Sequence, residues 1–136
     1  MNSYAIEFDV LHNYDTLQTG ITVPVLLKYG DNEIKFDAKI DTGSSHCIFQ
    51  RSIGESIGIA IEAGEKERFG TATTGFAAYA HEVTISVLGI ETFARVYFFE
   101  DEYIRKSVLG RQGWLDRVKL GLVDYDEKLF LSRYEK

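Results

Sequence analysis

One stretch of the 136-residue sequence gathers residue types that could do chemistry together: Ala38-Lys39-Ile40-Asp41-Thr42-Gly43-Ser44-Ser45. The alternation of Ile34, Phe36, Ala38 and Ile40 predicts a half-buried strand that delivers Asp41 at its end. Gly43 lets the backbone approach a ligand closely. Thr42, Ser44 and Ser45 offer donors that could orient the Asp41 carboxylate. A carboxylate held in this way can act as a general base on water. Asp-Thr-Gly-Ser is also a plain turn signature, with the Asp capping its own backbone. Apolar Cys47, Ile48 and Phe49 follow directly, so the loop is tied down on both sides, which a solvent-facing turn rarely needs.

A second motif follows about 70 residues later: Ser107-Val108-Leu109-Gly110-Arg111, two aliphatic residues and a glycine at the entry to a predicted helix. Between the two lies the hydroxyl-rich, glycine-flanked hairpin tip Gly70-Thr71-Ala72-Thr73-Thr74-Gly75. The elements that must position these motifs are mostly strands. Ile21 to Tyr29 is rich in β-branched and aliphatic residues, with Pro24 marking an edge or bulge. Val83, Ile85 and Val87 alternate, and Thr92 to Phe99 is a strongly apolar strand. Lys119 to Asp124 and Leu129 to Ser132 flank a further hairpin turn. Arg51 to Ile59 predicts about two helical turns, weakened by Gly54 and Gly58. Arg111 to Val118 reads as the better helix, with Trp114, Leu115 and Val118 on one face.

Composition bounds the rest. At 45% hydrophobic and 26% charged residues, the chain is an ordinary globular one, expected to form a single domain over residues 1–136 with residues 1–20 as an N-terminal extension or strand. Fifteen Lys and Arg against 21 Asp and Glu give a net charge of −6, without a basic cluster from which to build a nucleic-acid groove or a site for acidic membrane. No apolar run has membrane-spanning length, and the N-terminus lacks the pattern of a secretory signal. Cys47 is the only cysteine, which fits a reducing compartment, so a cytoplasmic location is expected. His12, His46 and His81 lie far apart without ligand spacing, and neither a metal nor a cofactor is expected.

The ordered set, hydrophobic-Asp-Thr-Gly-Ser, then a glycine-bearing hairpin, then hydrophobic-hydrophobic-Gly-Arg, resembles the retropepsin-like aspartic proteases, in particular the single-domain retroviral-type group and its bacterial members. The likeness runs from about Ile21 to Leu131. It implies an all-β fold, a small closed β-barrel of the retropepsin type with one or two short helices. It implies that Asp41 is catalytic, that Thr42 hydrogen-bonds across a dimer axis, and that the Gly43 carbonyl holds substrate. Ser44 stands where a hydroxyl could stabilise the ionised carboxylate. Thr71, Ala72, Thr73, Thr74, Gly75 and Phe76 match the tip of a substrate-covering flap. Val108, Leu109 and Gly110 match the support behind the catalytic loop. Arg111 matches an arginine that in retroviral relatives bonds an aspartate shortly after the triplet; here that position is Ser45, so Arg111 needs another partner or must bond backbone carbonyls.

Peptide hydrolysis by carboxylates needs two of them, and the chain holds one Asp-Thr-Gly. The other aspartates read as turn, face or helix-surface residues. The second carboxylate must then come from a second copy, so a homodimer acting on a peptide or protein substrate is expected. Ala5 to Val10 and Leu129 to Tyr134 are candidates for a sheet interleaved across the two-fold axis; the alternative is that a terminus packs on its own barrel. The competing functions are a catalytically silent dimeric peptide-binding module of the same fold and a phosphate binder with a similar Asp-x-Gly loop. His46 reads as a polar loop residue, Cys47 and Trp114 as core, and the Phe93 to Phe99 run as a buried strand.

Overall fold

The computed structural model describes residues 2–70 and 73–134. After an exposed N-terminal segment the chain forms β1 (Val10–Asn13), β2 (Thr22–Tyr29) and β3 (Asn32–Ile40), then β4 (Ile48–Phe49) and a single short α-helix, α1 (Arg51–Ser56). There follow β5 (Glu65–Gly70), β6 (Gly75–Val87), β7 (Ile90–Phe99), β8 (Val108–Leu109), β9 (Val118–Val123) and β10 (Lys128–Arg133).

Seven strands run in the order β2-β3-β8-β4-β7-β6-β5, and an extra pairing of β2 with β6 closes the ring. Strand β6 makes the closure possible because it is long. One of its edges pairs with β7 from Ala78 to Val87. The other edge carries β5 along Gly75 to Ala80 and β2 along Thr84 to Val87. Pro24 lies in β2 one residue before the pairing with β6 begins at Val25, where its missing N–H costs the ladder nothing. The barrel interior follows the period-two pattern: Val23, Val25 and Leu27 of β2 meet Val83, Ile85 and Val87 of β6, with Val96, Phe98 and Trp114, all buried.

A second, smaller sheet, β1-β10-β9, is built from the two ends of the chain. Leu129 and Leu131 of β10 turn inward into the main core. Strand β10 has β1 on one edge and β9 on the other within the same chain, and of the candidate segment Ala5 to Val10 only Val10 enters a strand. Phe8 lies across the outside of this sheet against Phe130, with ring centroids 5.7 Å apart.

Two expectations need correction. The segment from Arg111 to Val118 is not an α-helix; only Leu115–Arg117 winds, as a single 3-10 turn. Gly113 sits at φ +103°, and the N–H groups of Arg111 and Gln112 donate to the carbonyls of Ser44 and Ser45. Tertiary hydrogen bonds and a left-handed residue therefore override the helical pattern. Phe93 is not buried either: it is 63% exposed on the outer face of β7. From Val96 to Phe99, by contrast, all four residues are buried, because both faces of β7 are covered there. Among the described residues no helix is long and apolar enough to cross a membrane.

Candidate active site

Asp41 is the first residue after β3 and is half-buried. Strand β8 runs parallel to β3, pairing Lys39 with Val108 and Ile40 with Leu109. It also pairs antiparallel with β4, Ile48 facing Val108. The loop from Asp41 to Cys47 thus leaves one neighbour of β8 and returns to the other. The Asp41 N–H extends the ladder by donating to the Leu109 carbonyl at 3.0 Å. On the return side, the Arg111 and Gln112 N–H groups donate to the Ser44 and Ser45 carbonyls, each at 2.9 Å.

This close approach explains Gly110. A Cβ there would stand 2.2 Å from the His46 carbonyl oxygen and 2.7 Å from that of Ser44, both backbone atoms. The Gly110 N–H points at the Cys47 sulfur, 3.4 Å away. Cys47 is fully buried, and burial pushes its thiol up to about 11, so the sulfur is a packing atom rather than a nucleophile.

Within the loop the carboxylate is oriented by backbone. The Gly43 N–H donates to Asp41 Oδ1 at 2.9 Å, and the Ser44 N–H donates to the Asp41 carbonyl at 3.1 Å. Ser44 does not steady the carboxylate with its hydroxyl, as the sequence suggested. Its Oγ donates to the His46 carbonyl at 2.8 Å and braces the return of the loop. Thr42 and Gly43 are exposed. Val108, Leu109 and Gly110 are buried behind the loop, whereas Arg111 is exposed and its guanidinium has no partner among the described residues. Among the described residues, neither another acid nor a backbone carbonyl takes the place of the aspartate that bonds this arginine in retroviral relatives.

The β5–β6 hairpin reaches its last paired residues at Gly70 and Gly75. Thr71 and Ala72 lie outside the described residues. Thr73, Thr74 and Gly75 are exposed, and Phe76 is half-buried, stacked on Phe69 with centroids 5.4 Å apart. Beneath the hairpin lies a second apolar cluster on the outside of the barrel wall: Ile48, Ala78, Ala80, Tyr97, Phe99 and Val108, with Phe69 and Phe76 packed on it.

His46, read as a polar loop residue, lays its ring against this cluster. Its ring meets Phe69 at 5.3 Å and Tyr97 at 5.1 Å, edge to face. Phe69 went unnoticed in the sequence, and Tyr97 was read only as part of the buried Phe93 to Phe99 strand. The signal available was one aromatic residue closing the charged run Glu65-Lys66-Glu67-Arg68. A cleft of about 240 Å³ opens beside His46, bounded by Arg95, Tyr97, Gln112 and Arg117. No group of three or more His, Cys, Asp or Glu side chains among the described residues is placed to hold a metal ion.

No protein-family model and no curated protein sequence matches this chain. Solved structures do. A retropepsin-like aspartic protease from Rickettsia conorii superposes with a TM-score of 0.68 at 18% identity, over 96% of this chain and 96% of that one. The chain has a retropepsin-like fold. EIAV protease, solved in complex with the inhibitor HBY-793, superposes with a TM-score of 0.54 at 20% identity, over 71% of this chain and 86% of its own. Both neighbours of this retropepsin-like fold are proteases, and at these identities the likeness speaks for the fold.

Proposed function

We propose that the chain is an aspartic endopeptidase that works as a homodimer, with one active site made by Asp41 of both copies. The observation that carries this reading is the Asp41 loop itself. A carboxylate at a strand end has one oxygen held by a backbone N–H, and the loop is clamped on both sides by β8. That construction fixes a carboxylate while leaving Thr42 and Gly43 exposed beside it.

The chemistry then follows from pairing. Two carboxylates about 3 Å apart cannot both be ionised, so they share a proton. The ionised member takes a proton from water as the oxygen attacks the peptide carbonyl. The protonated member hydrogen-bonds that carbonyl oxygen as charge develops on it. Collapse of the tetrahedral intermediate breaks the C–N bond, and the leaving amine takes up a proton. No metal or cofactor takes part. Exposed Thr42 is the residue that would bond across the two-fold axis, and the β5–β6 hairpin is the flap over an extended peptide. A reducing compartment such as the cytoplasm suits an enzyme whose only cysteine is a buried thiol.

Two measurements test the proposal together: cleavage of a fluorogenic peptide library with and without an aspartic-protease inhibitor, and solution mass under the same conditions. Inhibitable cleavage by a dimer is expected. A strictly monomeric protein that still cleaves would overturn the shared site. A dimer that binds peptides without cleaving them would favour the silent module.

A further inference from the structure

Strand β5 is the edge strand of its sheet and pairs only with β6. Its alternate residues Glu65, Glu67 and Phe69 point to one face, and each meets a side chain outside the hairpin. Glu65 pairs with Arg95, and Glu67 accepts a hydrogen bond from the Tyr97 hydroxyl at 3.1 Å. Phe69 meets both Tyr97, at 5.1 Å, and His46. The first two rungs tie β5 to the barrel strand β7. Only the third reaches the loop that carries Asp41.

His46 is held at its backbone. Its carbonyl accepts from Ser44 Oγ, and it forms a bridge with Gln112. Its ring is therefore a rigid extension of the catalytic loop, wedged against two aromatic side chains of the hairpin root and barrel wall. Resting on the proposed protease reading, we infer that His46 is a positioning residue: it sets the β5 hairpin in register with the Asp41 loop, so that displacing either one shifts the other. Coupling of this kind is reciprocal.

The test is amide hydrogen exchange on the full-length protein, whose outcome does not depend on turnover. Edge-to-face ring contacts of this kind correspond to about a tenfold change in local opening. His46→Ala should speed exchange across 65–70 by about tenfold and leave β9 and β10 unchanged. His46→Phe keeps the ring contacts and should restore the wild-type pattern. Phe69→Leu, made from the hairpin side, should speed exchange of the Arg111 and Gln112 amides that hold Ser44 and Ser45. Unchanged exchange at 65–70 in His46→Ala overturns the inference. So does equal acceleration in His46→Phe, which would mean that the ring contacts are irrelevant. In an active enzyme His46→Ala should raise KM by about tenfold with a smaller change in kcat, and an unchanged KM would also overturn it. A protein without peptidase activity would sink the protease reading while exchange still decides the coupling.

Discussion

Thr42-Gly43-Ser44-Ser45 and the hairpin tip Gly70 to Gly75 have nearly the same composition, and the strands that lead into them are held in different ways. The first is held from both ends. Strand β8 lies between β3 and β4, and its continuation through Gly110 to Gln112 closes on the loop with backbone hydrogen bonds. The second is approached along β5, an edge strand with one sheet neighbour that a row of side chains ties down. Small hydroxyl-rich residues specify neither rigidity nor freedom. At the Asp41 loop a second backbone within hydrogen-bond distance supplies the bracing. A chemical group needs the first arrangement, because its oxygen must be held in place. A cover over an extended substrate suits the second.

The largest effect that would sharpen this contrast is Asp41→Asn. Removing a general base from the braced loop should lower peptide cleavage by about 10²–10⁴-fold. The melting temperature should hardly move, because the Asn side-chain oxygen can still accept the Gly43 N–H. Retained wild-type proteolysis in a purified sample would break the assignment of chemistry to this loop.

Gly110→Ala comes next. The new Cβ meets backbone carbonyl oxygens that cannot rotate away, so a destabilisation of about 1–3 kcal/mol is expected by urea unfolding. Activity should fall with it, since the loop must shift. A neutral result would show the loop to be less tightly braced than its hydrogen bonds imply.

Tyr97→Phe probes the other segment and should do less. It removes the hydroxyl from Glu67 and keeps the ring against His46 and Phe69. Losing that hydrogen bond should speed amide exchange in β5 by about fivefold, with global stability lowered by about 1 kcal/mol or less. Acceleration in β8 equal to that in β5 would erase the distinction between the two segments.

The smallest effect is in acid. The Arg51 guanidinium holds the Glu62 carboxyl below the usual carboxylate range, and Lys66 followed by Tyr79 does the same for Glu100. Groups depressed in the folded state stabilise it above their unfolded pKa, near 4.3 for a glutamate. That contribution is lost as pH falls through the lower folded values. Both carboxyls are exposed, so the change should be slight. Glu62→Gln should flatten the acid limb of the urea midpoint against pH, and an unaltered limb would count against this ion pair.

Much of the fold was legible because its signals are local. Period-two alternation located β3 and the last part of β6, a strongly apolar run located β7, and glycine-bearing turns located the hairpins. The helix expected from Arg111 to Val118 failed for a reason no local pattern holds: its amides bond a loop some 65 residues earlier in the chain. The candidate loop was legible through Asp41-Thr42-Gly43, and the buried support through Val108-Leu109-Gly110. The donor that orients the carboxylate was misread. Hydroxyl side chains looked like the natural donors, but the turn geometry placed the Gly43 N–H on Asp41 and turned Ser44 to His46.

By itself the sequence determined that a carboxylate would emerge from a strand into a small-residue loop, and that a strand rich in aliphatic residues would alternate up to it. Both are consequences of side-chain size and period, which are written residue by residue. Only the tertiary structure decided which backbone does the touching and that a histidine ring, not a polar contact, links the loop to the hairpin. Those depend on strand order, because β8 can clamp Asp41, and β7 can carry Tyr97 beneath Phe69, only once the barrel has closed.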